Sequence, residues 1–287
     1  MTAGAQGSIL RIAALAFGAA GFAVLAYLGY VWLSWPDVAA LARENPSTTA
    51  FITRYESGAS SNPELPKLQW HWVDYSDISI HVKRAVVVAE DIEFFTHTGF
   101  STSEIRAAIQ EALEEGGGLR GASTITQQLA KNLWLSPLRS PLRKFKEAIL
   151  TGQLEKSLDK HRILEIYLNV VEFGPGVYGI GAAADHFFGK PASDLTEHQA
   201  ALLAASLPRP SSWHPGVDDP YYRRYVEDIL GRMERAEFLW RRLSDASRPA
   251  RLSEYAVRPL SSSANTHERR HCIGRRLRIS YCEVTHG

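Results

Sequence analysis

The chain holds little sulfur and little excess charge. Of its 287 residues only two are cysteine, Cys272 and Cys282, both near the C-terminus, so no disulfide framework holds the main body together. Lys and Arg number 32 against 31 Asp and Glu, leaving a net charge of +1, and that balance gives no support to a nucleic-acid binder. Convincing runs of alternating apolar and polar residues are also missing, which argues against a fold built on half-buried strands. What remains is a chain with room for one large domain or two small ones, mainly helical in its periodicity.

One long stretch has no charge at all. Ile12 to Leu33 is a run of 22 uncharged residues between Arg11 and Asp37. As helix it would measure roughly 33 Å, enough to cross a bilayer core of about 30 Å. A cleaved signal would have a shorter apolar core of about 7–15 residues and then a small-x-small site. Here the run ends instead in Tyr30-Val31-Trp32-Leu33-Ser34-Trp35-Pro36, an aromatic belt. The expectation is a retained transmembrane helix over 12–33. Arg11 and the amino terminus place residues 1–11 in the cytoplasm and the chain beyond Pro36 outside, which in a bacterium with two membranes is the periplasm.

Residues 34–70 read as a stalk or connection, punctuated by Asn45-Pro46-Ser47 and Ser60-Ser61-Asn62-Pro63. Helical signals fill 71–243. Ala85–Ala89 suits a buried helix segment ending near Glu90. Gly116-Gly117-Gly118 with Gly121 marks a mobile loop. Thr124-Ile125-Thr126-Gln127 fits a capping box, followed by a buried stripe of Ile125, Leu129 and Leu133. Ser140-Pro141 opens a further helix, Asp159 caps another, and Asp194 with Glu197 suggests a second capping box. Tyr222, Tyr225, Ile229, Met233, Ala236, Trp240 and Leu243 continue as one long amphipathic stripe. Residues 244–287 lack core periodicity and carry Arg269, Arg270, Arg275, Arg276 and Arg278, as a flexible basic tail does. Such a cluster suits either solvent or anionic lipid headgroups.

The chemistry concentrates around two carboxylates. Glu90-Asp91-Ile92-Glu93-Phe94-Phe95-Thr96-His97 puts three acids in four residues beside an aromatic pair and a His. A solvated helix end has that composition, but so does a general base whose pKa is raised by its surroundings. Glu147 sits elsewhere, amid Lys131, Arg139, Arg143, Lys144 and Lys146. Arg143 and Glu147 share a helix face at i, i+4. Hydrolysis of a neutral sugar bond needs two carboxylates and has no use for several cations. Expelling phosphate or pyrophosphate does need cations, because negative charge develops on the leaving group. The pairing favours transfer from a phosphate-linked donor. A basic helix face lying on a membrane would carry the same charges.

Five blocks in order resemble the peptidoglycan glycosyltransferases in their monofunctional, membrane-anchored form, over roughly 70–243. They are Glu90-Asp91-x-x-Phe94-Phe95-x-His97-x-Gly99, then Gly121-Ala122-Ser123-Thr124-Ile125-Thr126-Gln127-Gln128-Leu129-Ala130-Lys131-Asn132. Arg143-Lys144-x-x-Glu147 and Lys160-x-x-Ile163-Leu164-Glu165-x-Tyr167-Leu168-Asn169 follow. The fifth is Gly176-Val177-Tyr178-Gly179-Ile180 with Ala182-Ala183-Ala184 and Phe188-Gly189-Lys190. Ala122 departs from the family's usual second Gly, with little effect expected unless that backbone needs a positive φ.

The resemblance implies a lysozyme-like α domain that polymerises lipid II into β-1,4-linked glycan, inverting the donor carbon and releasing undecaprenyl pyrophosphate. It implies Glu90 as general base and Glu147 as second essential carboxylate, with a divalent metal, Mg²⁺ or Mn²⁺, admitted at Glu147 and no organic cofactor. Lys131, Arg139 and Arg143 match residues near the donor's pyrophosphate, and Ser123, Gln127 and Gln128 match donor-site contacts. Asp91 and His97 are expected to shape the Glu90 turn, and Glu165 and Asn169 to be structural. Partners implied are lipid II, the growing lipid-linked glycan, the bilayer, and cell-wall synthesis or division proteins, at the bacterial inner membrane. Fewer than 50 residues follow the matched region, too few for a transpeptidase domain.

Two motifs are decoys. Gly174-Pro175-Gly176-Val177-Tyr178-Gly179 matches the dinucleotide fingerprint, but no strand-helix alternation surrounds it. His267, His271, Cys272, Cys282 and His286 mimic a zinc cluster; in a periplasmic tail a Cys272–Cys282 disulfide is the stronger expectation. Two other functions fit less well, namely a lytic muramidase of the same fold and an inactive anchored scaffold.

Overall fold

The computed structural model describes residues 15, 17–23, 25–26, 29, 35–102, 106, 123–138 and 140–244. Most of the expected anchor, the Gly116–Gly118 loop, Ala122, Arg139 and the tail from 245 on lie outside the described residues. The described positions between 15 and 29 are helical, and Leu15, Phe17, Phe22 and Leu25 there are exposed. Among the described residues no helix is long and apolar enough to cross a membrane.

The fold is mainly helical. Its helices are α1 (Ala50–Ser61), α2 (Ile80–Glu90), α3 (Ile125–Trp134), α4 (Pro141–Ser157), α5 (Lys160–Val170), α6 (Ile180–Phe188), α7 (Glu197–Ser206), α8 (Pro220–Arg235) and α9 (Leu239–Ser244). At the centre runs α2. Val86-Val87-Val88 is a β-branched run of low intrinsic helix propensity, yet it forms helix because burial decides. Val82, Ala85 and the three valines are at most 2% exposed. Each fully buried valine contributes roughly 1.5–3 kcal/mol of transfer free energy, more than the few tenths lost in propensity. This helix packs on α7, α8 and α9, while α3 packs on α4 and α5. Arg84, buried, ties α2 to α8 by donating to the Met233 carbonyl.

Local caps fix where the helices start. Thr124 and Gln127 form the expected box at the head of α3, Ser140 caps α4 with Pro141 behind it, and Asp159 caps α5. The box expected at Asp194 and Glu197 is corrected: Thr196 and Gln199 cap α7, while Asp194 closes a 3₁₀ turn. Thr196-x-x-Gln199 wins because the Thr196 hydroxyl accepts from the Gln199 N–H while Gln199 Oε1 accepts from the Thr196 N–H. The long final stripe is also corrected, to two helices. The chain breaks at 236–238, although Ile229, Met233, Ala236 and Leu243 are all buried.

Residues 36–62 are folded against the domain. Val38, Leu41 and Ile52 are buried, and Arg162 of α5 donates to the Leu41 and Glu44 carbonyls. Its side chain also donates to Asn45 Oδ1. Of the punctuation that suggested a stalk, Asn45-Pro46-Ser47 marks the turn before Thr49, the N-cap of α1, and Ser60-Ser61-Asn62 closes that helix.

A small sheet escaped the periodicity. Strand β1 (Gln69–Trp70) pairs parallel with β3 (Val177–Tyr178), and β2 (Glu172–Gly174) pairs antiparallel with β3. Strands of two or three residues carry no readable alternation. The dinucleotide decoy is the β2–β3 hairpin and the cap of α6, with positive φ at Gly176 and Gly179.

The sheet carries a titration. Glu172, bonded to the Tyr178 hydroxyl, is pushed up to about 7 by burial. The folded state thus holds this proton more tightly than the unfolded chain, so folding takes up a proton between the ordinary carboxylate value of 4.5 and about 7. The stabilisation is complete below that window and is lost as pH rises through it. Glu172→Gln should remove this slope, so the Tm difference, variant minus wild type, should grow between pH 5 and pH 8. A constant difference would remove Glu172 as its source.

Candidate active site

Glu90 is the last residue of α2, and the site grows outward from it. Its Oε2 accepts from Gln128 Nε2 at 2.6 Å, and Gln128 Oε1 accepts from the Tyr167 hydroxyl at 2.9 Å. Tyr167 is fully buried, so this chain of bonds fixes both the amide orientation and the carboxylate. Burial pushes the Glu90 carboxyl above the usual carboxylate range; the Gln128 bond, Lys131 and Arg232 pull it back, and neighbouring Asp91 pushes it up. Arg232 Nη1 also donates to the Val88 carbonyl at 3.2 Å, satisfying an end carbonyl of the same helix.

Asp91 and His97 face the other way. Gly99 N–H donates to His97 Nδ1 at 3.0 Å, so the ring proton lies on Nε2, 2.9 Å from Asp91 Oδ1. Asp91 Oδ2 accepts from the backbone N–H of Ile125 at 3.0 Å, the first residue of α3. The pair therefore locks the Glu90 turn to the head of the next helix.

Gly99 is indispensable to that lock. Its φ is +90°, and an added Cβ would lie 2.7 Å from Thr151 Cγ2 and 3.0 Å from Glu155 Cγ. Its carbonyl accepts from Thr124 Oγ1 at 2.7 Å. Gly99→Ala should cost about 1–3 kcal/mol from the left-handed backbone alone, with packing strain added. Calorimetry checks this, and an unchanged Tm would contradict it.

Beside the Glu90 turn lies a pocket of about 360 Å³ lined by Phe51, Ser123, Gln127, Gln128, Lys131, Pro137, Arg143, Lys144 and Glu147. The structure thus brings together Ser123, Gln127, Gln128, Lys131, Arg143 and Glu147. Gln127 serves the cap as well, its Oε1 accepting from Thr124 N–H. Glu147 is buried and held at Oε2 by Arg143 Nη1 at 2.8 Å and at Oε1 by Lys144. Lys131 makes no hydrogen bond or ion pair among the described residues; its ammonium lies 5.8 Å from the Phe51 ring centroid. Burial lowers its pKa, partly offset by attraction to Glu147 and Glu90. Arg143 Nε is buried without a partner among the described residues.

Glu90 does not line that pocket. It opens into a neighbouring cavity of about 340 Å³ with Ile92, Arg232, Arg235 and Phe238, and Gln128 bridges the two. Glu165 and Asn169 stand apart from both. Glu165 accepts from the Tyr75 N–H and Arg162, and Asn169 exchanges hydrogen bonds with the Val73 backbone. They anchor the strand exit before α2. Arg232, Tyr167 and Phe51 were not singled out for the site from sequence. Tyr167 lay within a matched block; Arg232 and Phe51 approach from segments distant in the chain.

The donor set does not suit a divalent metal held by protein alone. Both Glu147 oxygens are engaged by cations, and among the described residues no group of three or more His, Cys, Asp or Glu is placed to hold an ion.

A raised-pKa carboxylate next to a cationic pocket, with Lys131 unpaired and Arg143 and Lys144 sharing one carboxylate, defines a group-transfer site for an anionic donor. The chain belongs to the transglycosylase family, whose model matches residues 61–234. It is 45% identical over 193 residues to a biosynthetic peptidoglycan transglycosylase of Nitrosospira multiformis, covering 67% of this chain and 84% of that one. It is similar to proteins of the same description from Laribacter hongkongensis, 46% identical over 66% of this chain and 83% of the relative, and from Azoarcus sp., 44% over 76% and 93%.

Proposed function

We propose that the chain polymerises lipid II into peptidoglycan glycan strands. The observation that carries this is the pairing of a desolvated base, Glu90, with donors left unpartnered at Lys131 and Arg143 across Gln128. Glu90 takes the proton of the acceptor GlcNAc 4-hydroxyl. The freed oxygen attacks C1 of the donor MurNAc from the face opposite the phosphate, forming the β-1,4 bond. The C1–O bond to pyrophosphate breaks, and the electron pair leaves with undecaprenyl pyrophosphate. Lys131 and Arg143 meet the charge that builds there; Glu147 holds Arg143 and Lys144 in place and keeps the cluster from repelling itself. Arg139 is assigned to the same pyrophosphate by its place in the sequence. A muramidase would gain nothing from these cations.

The deciding experiment is polymerisation of lipid II by the purified chain, with and without Mg²⁺, Mn²⁺ or a chelator, and with moenomycin. Glycan formation blocked by moenomycin is expected. Release of soluble muropeptides from peptidoglycan, with no polymer from lipid II, would reverse the assignment.

The enzyme works at the inner membrane, anchored by residues 12–33 with the catalytic domain periplasmic, because the substrate's lipid stays in the bilayer. Helix α4 supports a second contact. Leu142, Phe145 and Ile149 along it are exposed at i, i+3 and i+7, with exposed Leu138 just before the helix, while Arg143 and Glu147 face the pocket. A chain lacking residues 1–35 should still bind lipid vesicles, and Leu142→Ser with Phe145→Ser should weaken that binding at least tenfold. Absence of binding by the shortened chain would remove this surface.

A further inference from the structure

Away from both active-site cavities lies a third, of about 550 Å³, between the first turns of α2 and α5 and the end of α9. Lys83 lines it. This side chain belongs to a residue only 5% exposed, and among the described residues its ammonium has no hydrogen bond and no ion pair. It lies over the face of Tyr75, with Nζ 3.8 Å from the ring centroid. Glu165 and Asp77 attract this ammonium only from beyond ion-pair distance, so its donors are open to an anion in the cavity.

The two acids that line the same cavity do not meet it. Glu165 is held at one oxygen by the Tyr75 N–H and at the other by Arg162, and Asp159 caps α5 through the Arg162 N–H. Tyr75 is itself fixed, its hydroxyl donating to the Leu243 carbonyl at 3.2 Å. The donors of Lys83 are therefore held toward a cavity whose other walls include apolar Ile80, Leu158 and Leu243.

We propose that this cavity is a binding site for a small organic monocarboxylate, its carboxylate seated on the Lys83 ammonium and its apolar body against Ile80, Leu158 and Leu243. One negative charge is what a single unpaired cation can neutralise, and the nearby Asp159 and Glu165 carboxylates oppose a second. Burial lowers the Lys83 amine to about 8, which a bound carboxylate would reverse by favouring the charged form. Lys83 lies seven residues before Glu90 on α2, about 10 Å along the helix axis, so the site is separate from the reaction.

The test uses the full-length protein with benzoate, 4-phenylbutyrate and their neutral amides. Acetylation of individual lysines by acetic anhydride at pH 8 is followed by peptide mass spectrometry. The carboxylates should slow labelling of Lys83 at least fivefold and leave exposed Lys67 unchanged; the amides should slow neither. Both carboxylates should raise Tm in wild type and not in Lys83→Met. Equal labelling with carboxylate and amide would overturn the proposal, as would a carboxylate-dependent Tm that persists in Lys83→Met. Stronger protection by phenyl phosphate than by benzoate would overturn the single-charge assignment. Should Lys83→Met fail to fold, the wild-type labelling decides alone.

Discussion

Glu90→Gln should lower lipid II polymerisation by about 10²–10⁴-fold while leaving the fold intact. The amide keeps the shape and removes the base. Its neighbours do not depend on the charge for their own positions: Gln128 is also held by Tyr167, and the turn is held by Asp91 and His97. Far-ultraviolet circular dichroism and Tm should therefore be close to wild type. The pH profile adds a second check. Burial places the Glu90 pKa above the ordinary carboxylate range, and the base acts only when ionised. Wild-type activity should fall as pH drops through that raised value, higher than a solvent-exposed glutamate would give. In the variant the residual rate should lose this acid limb. Activity within threefold of wild type would displace Glu90 from its role.

Lys131→Met should move activity and stability in opposite directions. Removing one preorganised donor from the leaving group's path costs about 10²–10³-fold in rate. Yet Lys131 has no hydrogen bond or ion pair among the described residues, and burial already lowers its pKa. Replacing it with an apolar side chain of similar length removes a desolvation penalty, and Glu147 retains Arg143 and Lys144. Tm should stay level or rise. That is the pattern of a residue kept for function at the expense of stability. A fall in Tm of several degrees would mean instead that Lys131 holds the pocket together.

What the sequence made legible was local. Capping hydroxyls bond within three residues, so Thr124, Ser140 and Asp159 announced their helices. Arg143 and Glu147 share a face one turn apart, and their ion pair could be read from the spacing. What stayed hidden depends on chain ends meeting. The bond from Gln128 to Glu90 spans 38 residues, that from Tyr167 to Gln128 spans 39, and Arg232 reaches Val88 across 144. No period encodes such encounters. The break between α8 and α9 was hidden for the opposite reason: the apolar stripe keeps its phase across it, so a one-dimensional pattern sees a single helix.

The bonds at Gly99 and Asp91 reach beyond the turn they shape. Thr124 ties back to the Gly99 carbonyl, and the Ile125 N–H ties back to Asp91, so the stretch between Gly99 and Thr124 begins and ends at one pinned point. In polymer terms that stretch is a ring closed by the protein itself. Doubling the length of such a ring adds only about 0.6 kcal/mol of closure entropy. Lengthening the chain between these two points should therefore cost little stability, while the Glu90 turn and the head of α3 keep their register.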